Sequence, residues 1–391
     1  MFELPPIQKG FMALAACFAA VLVCGILSLF LWLSGMYSLF GQILVIICGV
    51  VFVFQVYSHL YQWFSPETRM TIILIAVISV ALSILAAEMM HVHRKNVPVL
   101  SEKPDLTLYN PFQKGSKVAV PDGPSELTLT DDLPMPDGSA VLYPVYSAFI
   151  HSVYPQGDYT SYGLCHDTTD MAGACARLSS GRADVIFIVD EEPSPQFRQI
   201  LESGGLEFRR VPLGREALVF FVNSGNPVEG LTTDNLRDIY SGAVTNWREV
   251  GGKSRKIRAF QSFRPECAPV MKRIMGDVGM IRPPQEARYD SWKPFDIYHA
   301  SMSYRNDDNA LGYTLSFFVR ENFQEGQIRL LSIDGIFPTP ETIRDGSYPL
   351  TVGLYAVTLN PPNVNTQKLI DWIVSDQGQS LIEKSGFVPI R

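Results

Sequence analysis

The chain has 391 residues, 47% of them hydrophobic, and a formal charge of −7 at pH 7. That length suits two or three domains with ordinary cores, and an acidic balance without a Lys/Arg stripe excludes nucleic acid as the expected partner. Residues 1–90 hold only Lys9 and Arg69 against Glu3, Glu67 and Glu88, so 30 basic and 36 acidic side chains fall on the remaining 301 residues, the composition of a soluble domain.

From Phe11 to Leu60 there is no Lys, Arg, Asp or Glu. A helix rises about 1.5 Å per residue against a bilayer core about 30 Å thick, so this run predicts two spans, near 11–34 and 41–60, with Gly35 and Gly41 flanking the turn. A third span is expected at 70–87, which sets residues 1–90 apart as a three-helix transmembrane region in contact with lipid. Cys17, Cys24 and Cys48 lie in these apolar runs, where a thiol acts as a small hydrophobe. Lys9 and Arg69 predict a cytoplasmic N-terminus and hence a multi-pass cell-membrane protein whose later domain faces outward, although His91, His93, Arg94 and Lys95 pull weakly the other way.

Residues 91–125 read as a tether, rich in Pro (98, 104, 111, 121, 124) and polar residues, with one short strand at Lys117–Val120. Regular patterning follows. Helical spacing covers Val141–Tyr154 after the Asp-Gly-Ser turn at 137–139, and Met171–Leu178 after Thr168–Thr169, which can cap it. Ala183–Val189, Ala217–Val222 and Thr351–Thr358 are continuous apolar strands of the kind buried on both faces of a parallel sheet. Further helices are predicted at Thr233–Tyr240, Val270–Met275 and Thr366–Lys384. Strands alternating with helices define an α/β fold with parallel sheets.

The remaining chemistry-bearing clusters are weak. GGKS at 251–254 lacks the P-loop glycine, since position 247 is Trp247. Cys165–His166–Asp167 has nucleophilic residue types, but neighbours in a strand or loop point different ways and no oxyanion loop accompanies them. Cys165, Cys175 and Cys267 show no CxxC spacing and no paired histidines, which argues against structural zinc. Whether Cys165 pairs with Cys175 outside the cytosol stays open. With no nucleophile, metal cluster or acid–base pair, an enzyme is not expected, nor is a cofactor.

Six stretches carry a family resemblance. They are DGSAVLYPVYSAF at 137–149, RLSSGRADVIFI at 177–188, LTTDNLRDIYSGAVTNWREVGG at 231–252, NALGYTLSFFV at 309–319, GIFPTPETIRDGSYPL at 335–350 and DWIVSDQGQSLIEKSGFVPI at 371–390. Together they resemble the phosphate-binding proteins of ABC uptake systems, a branch of the type II periplasmic binding proteins, with the 231–247 and 375–389 blocks the most specific. The resemblance implies two α/β lobes in residues 126–391, lobe 1 from 126–217 and 346–391 and lobe 2 from 224–345, joined by crossover strands at Leu218–Val222 and Leu354–Val357. It implies a small phosphate-like anion as ligand, and an ABC permease and its ATPase as partners.

Helix N-termini suit anions because unpaired N–H groups converge there. Carried over residue by residue, the first binding loop is Gly138, Ser139, Ala140 and Val141 after Asp137. The second is Thr168–Thr169, the gripping arginine is Arg264, and the carboxylate after the strand is Asp190 or Glu191. Each has a plainer reading: Arg264 paired with Glu266 on a surface, Thr168 and Thr169 as caps alone, and Asp190–Glu191–Glu192 as a solvated turn. The chain also departs from the family's pattern. Ala140 replaces a threonine, and Ala268, Pro269 and Val270 replace a Ser-Gly-Thr, removing two hydroxyls and an N–H. At about 1.5–3 kcal/mol per hydrogen bond to a charged group, three losses amount to about 4–9 kcal/mol, against about 8 for a micromolar site. The alternative expectation is therefore a ligand-free or altered-ligand sensing or interaction module on the same scaffold.

Overall fold

The structure, a computed structural model, describes residues 5–33, 39–61, 105–159, 171–189, 205–262, 264–284 and 304–390, with scattered positions between 65 and 89. The chain divides into two compact units, Met1–Val97 and Pro98–Arg391.

In the first unit, helices cover Pro6–Leu33 and Leu39–Leu60, 28 and 22 residues long. They pack closely enough that the Cys24 thiol donates to the Val45 carbonyl at 3.4 Å, and a Cβ on Gly49 would stand 2.6 Å from Cys24 Sγ. Small residues permit that approach. The described positions between Glu67 and Met89 are also helical, the rest of the expected 70–87 span lying outside the described residues. Over the described residues, no helix is long and apolar enough to cross a membrane. The three-span expectation thus finds no support there.

The second unit begins with a segment that is not a free tether. Asp105 caps a turn at Leu106–Tyr109, and Asn110 accepts from the buried Tyr143 hydroxyl at 2.7 Å. The Phe112 N–H donates to His151 Nδ1 at 3.3 Å, and burial holds that imidazole below its ordinary pKa, in the neutral form that can accept. Further along, Gln377 binds the Pro124 carbonyl and the Glu126 N–H. Lys117–Val120 forms no strand, since the Lys117 N–H is bonded to the Leu108 carbonyl instead of a ladder.

Ten strands follow among the described residues: β1 (Pro136–Gly138), β2 (Val185–Val189), β3 (Phe208–Asn223), β4 (Gly230–Leu231), β5 (Arg258–Ala259), β6 (Ala310–Leu315), β7 (Ile328–Leu330), β8 (Ser332–Ile333), β9 (Thr351–Leu359) and β10 (Val388–Pro389). The main sheet runs β1-β2-β9-β3-β6-β5, with β10 and β7 also on β3, and β4 and β8 pair separately. It is mixed rather than parallel. β1 with β2, β5 with β6 and β4 with β8 are parallel, whereas β3 and β9 run antiparallel to each other and to their other neighbours.

β3 organises this unit. Its Phe208–Ala217 part pairs with β9, and its Leu218–Asn223 part pairs with β6 and β7. A bulge between Pro212 and Gly214, where proline cannot donate to the ladder, bends the strand. The chain therefore passes from one half-sheet to the other at Ala217–Leu218, and returns at Leu350–Thr351, where Leu350 accepts from the Leu218 N–H and the buried Tyr348 hydroxyl donates to the Leu218 carbonyl. Leu354–Val357, expected as a crossover, lies instead in the first half-sheet, paired with β2.

The specific motif blocks owe their spelling to local bonds. Thr232–Asn235 and Asn246–Glu249 form successive capping boxes, and Asp334 accepts from both the N–H and the hydroxyl of Thr233. Near the end of the chain, buried Gln379 donates to the Ile373 carbonyl and accepts from the Ile390 N–H.

At the switch between half-sheets sits Glu216, fully buried, accepting from the Ala217 N–H at 2.8 Å and from the Ser316 hydroxyl. Burial pushes its pKa up, against the opposing pull of Arg320. The native state thus holds a proton there that the unfolded chain has lost. Glu216 contributes its full stability below the ordinary glutamate pKa, and that contribution is lost as pH rises through the raised value. Glu216→Gln is expected to flatten this pH-dependent fall. Urea unfolding across pH 4–8 checks it, and parallel wild-type and variant curves would contradict the assignment.

Candidate functional site

The first loop is built by β1. Its register sets Gly138 opposite Phe187 of β2, and Gly138 has φ +146°, with the position of a Cβ only 2.2 Å from the Phe187 carbonyl oxygen. Only glycine fits. Asp137 is buried beneath the turn, accepting from the Gly138 N–H at 2.7 Å and pairing with the Arg177 guanidinium from the helix Met171–Ser179. The DGSA and RLSSGRADV motifs are two halves of this clamp.

Beyond Gly138 the backbone donors are largely spoken for. Ser139 N–H bonds the Phe187 carbonyl at 2.8 Å, Leu142 N–H bonds the Ser139 carbonyl, and Val141 N–H reaches Ser139 Oγ at 3.3 Å. Ala140 N–H has no partner among the described residues, and Val141 places its side chain wholly in the core. The turn Ala140–Leu142 feeds directly into the helix Tyr143–Val153. Of the four residues expected in this loop, then, Gly138 shapes it, Ser139 presents a hydroxyl, Ala140 offers an N–H, and Val141 anchors.

Arg264 stands at the start of the turn Pro265–Cys267, which leads into the helix Ala268–Met275. It is buried, with its guanidinium carbon 3.3 Å from the centroid of the Phe318 ring. A cation over an aromatic face in a desolvated setting gains about 2 kcal/mol and fixes the plane of the fork. In the helix behind it, Val270, Met271, Ile274 and Met275 face the core, while Ala268 and Pro269 are exposed. The position where the family carries a threonine is thus a packing residue here.

The structure adds a residue that the sequence had assigned only to a surface pair. Glu266 Oε1 accepts from the Ser139 hydroxyl at 2.5 Å, joining residues 127 positions apart. Ser139 follows β1 in the first half-sheet and Glu266 follows β5 in the second, so the bond spans the two halves. Glu266 Oε2 is buried, with no hydrogen-bond partner among the described residues. Ser139, Glu266 and the Arg264 turn are therefore brought together. Thr168, Thr169, Asp190 and Glu191 lie outside the described residues, as does Cys165 of the considered Cys165–Cys175 bridge. Among the described residues no group of His, Cys, Asp and Glu is placed to hold a metal.

A mixed sheet continuous through two halves, with loops meeting where the halves face, defines a two-lobed α/β fold. The chain belongs to the PBP superfamily, whose domain matches residues 137–377, more than half of it. The curated relatives it matches are phosphate-binding proteins. It is 24% identical over 179 residues to the phosphate-binding protein PstS of Borreliella burgdorferi, a match covering 45% of this chain and 64% of that relative's length. It is 25% identical over 268 residues to PstS of Staphylococcus saprophyticus, covering 65% of this chain and 79% of that one. Among solved structures, PstS from Borrelia burgdorferi superposes with a TM-score of 0.45 at 18% identity, over 68% of this chain and all of that one. An ABC-type phosphate transport receptor from Vibrio cholerae gives 0.45 at 16%, over 66% and 99%.

Proposed function

We propose that the protein is a membrane-tethered receptor that captures a small oxyanion, phosphate foremost, between its two halves and delivers it to an ABC permease. The observation that carries this reading is the meeting of the Ser139 turn with the Arg264 turn across the half-sheets. A hydroxyl donor, the Ala140 N–H and a planar guanidinium are chemically suited to a tetrahedral anion. The phosphate-binding relatives support phosphate as the ligand class. Thr168, Thr169 and Asp190 complete the proposed contacts. Lobe 1 is formed by 126–217 and 346–391 and lobe 2 by 224–345, with closure about the switch points as the working motion. The charge-free run from Phe11 to Leu60 supports anchoring in the cell membrane, with the binding domain on the outer face.

A second reading, an interaction or sensing module that has set ligand binding aside, is favoured by Ala268, Pro269 and Val270 at the family's donor positions and by Glu266 on Ser139. Calorimetric titration of the full-length protein with phosphate, sulfate and arsenate separates the two. Saturable heat with phosphate is expected; no heat at about 1 mM ligand, where even a 4 kcal/mol site half-fills, removes the receptor reading in favour of the second.

A further inference from the structure

Glu266 places a carboxylate where the Ser139 hydroxyl would meet a bound anion. A carboxylate is itself a planar oxyanion: one oxygen accepts from Ser139 at 2.5 Å, and the other is buried with no partner among the described residues. Its backbone stands two residues after Arg264, on the turn Pro265–Cys267. We propose that Glu266 is a built-in ligand mimic, which latches the two halves in the empty protein and must leave Ser139 before a free anion can enter. This rests on the receptor reading for the identity of the displaced ligand, but the latch itself rests on the Ser139–Glu266 bond alone.

Two consequences follow from the chemistry. First, the empty protein is held partly closed by a charge-assisted hydrogen bond, so its closed state does not require ligand. Second, an incoming anion must displace a like charge as well as compete for the hydroxyl, so Glu266 sets the affinity to a lower value than the same cleft without it. Ala140 and Val270 remove competing donors, which leaves Ser139 as the hydroxyl for which both anions contend.

Full-length wild-type protein, Glu266→Ala and Glu266→Gln provide the test, with amide hydrogen exchange over residues 138–142 and 264–268 and titration with inorganic phosphate. Glu266→Ala should lower protection of both turns in the absence of ligand and raise phosphate affinity about tenfold or more. Glu266→Gln, which keeps an acceptor for Ser139 but loses the charge, should preserve most protection and still raise affinity; it also serves if the alanine variant folds poorly. Unchanged protection in Glu266→Ala overturns the latch. Reduced protection with affinity equal to wild type overturns the competition with ligand. Reduced protection with no phosphate binding by any of the three proteins upholds the latch and overturns the receptor reading instead.

Discussion

Replacing Gly138 with alanine is expected to destabilise the second unit by about 3–5 kcal/mol. The φ of +146° is outside what an L side chain adopts comfortably, and the added Cβ would meet the Phe187 backbone rather than a movable side chain. Relief requires β1 to leave β2, which breaks the register, the Ser139–Phe187 bond and the Asp137–Arg177 clamp together. Strain of about 1–3 kcal/mol and overpacking of a similar size combine here, an effect of a size that few single substitutions reach. Urea unfolding of the full-length chain, followed through the buried Trp247 and Trp372, measures it. A loss under about 1 kcal/mol would mean that the β1–β2 register is wrong.

Arg264→Ala is expected to reduce phosphate affinity about 100-fold or more while leaving the fold in place. Two charge-assisted bonds of about 1.5–3 kcal/mol each are removed from the proposed contact set. Packing against Phe318 is lost as well, but the helix Ala268–Met275 keeps Val270, Met271, Ile274 and Met275 in the core, so stability should fall far less than affinity. Arg264→Lys should recover only part of the affinity, because an ammonium supplies charge without the planar fork. Titration calorimetry alongside circular dichroism separates the two effects. Unchanged affinity in a folded Arg264→Ala protein would show that the anion sits elsewhere.

The apolar strands were legible because β2 and Ala217–Val222 of β3 are buried on every residue. The first half of β3 was not. Arg209, Arg210 and Arg215 interrupt its pattern, and the strand absorbs them through tertiary partners: Arg209 donates to Gln367, Arg210 stacks on Tyr355 4.1 Å from the ring centroid, and Arg215 donates to the Ile343 carbonyl. One long helix was expected at Thr366–Lys384. The chain breaks it into Val364–Ile373 and Asp376–Lys384, turning at Val374–Ser375, where the Ile373 carbonyl is taken by Gln379. Periodicity alone does not reveal such a side-chain substitution for a backbone bond.

For the candidate site, motif position pointed to Gly138, Ser139 and Arg264, because a turn glycine and a helix-start arginine are local features. Ser139 and Glu266 are 127 residues apart, and no spacing rule connects a serine after β1 with a glutamate after β5. Their meeting is a product of the β3 switch, which the sequence showed only as an apolar run. Glu266 was visible solely as a neighbour of Arg264, and its direction depends on how the two half-sheets face each other.

Phosphorus NMR of inorganic phosphate in the presence of the full-length protein tests the receptor role most directly. A resonance that broadens with wild-type protein, broadens further with Glu266→Ala and stays sharp with Arg264→Ala is the predicted result. A sharp line at millimolar phosphate with all three folded proteins would contradict it, leaving a two-lobed scaffold whose cleft answers to its own carboxylate and to no free anion.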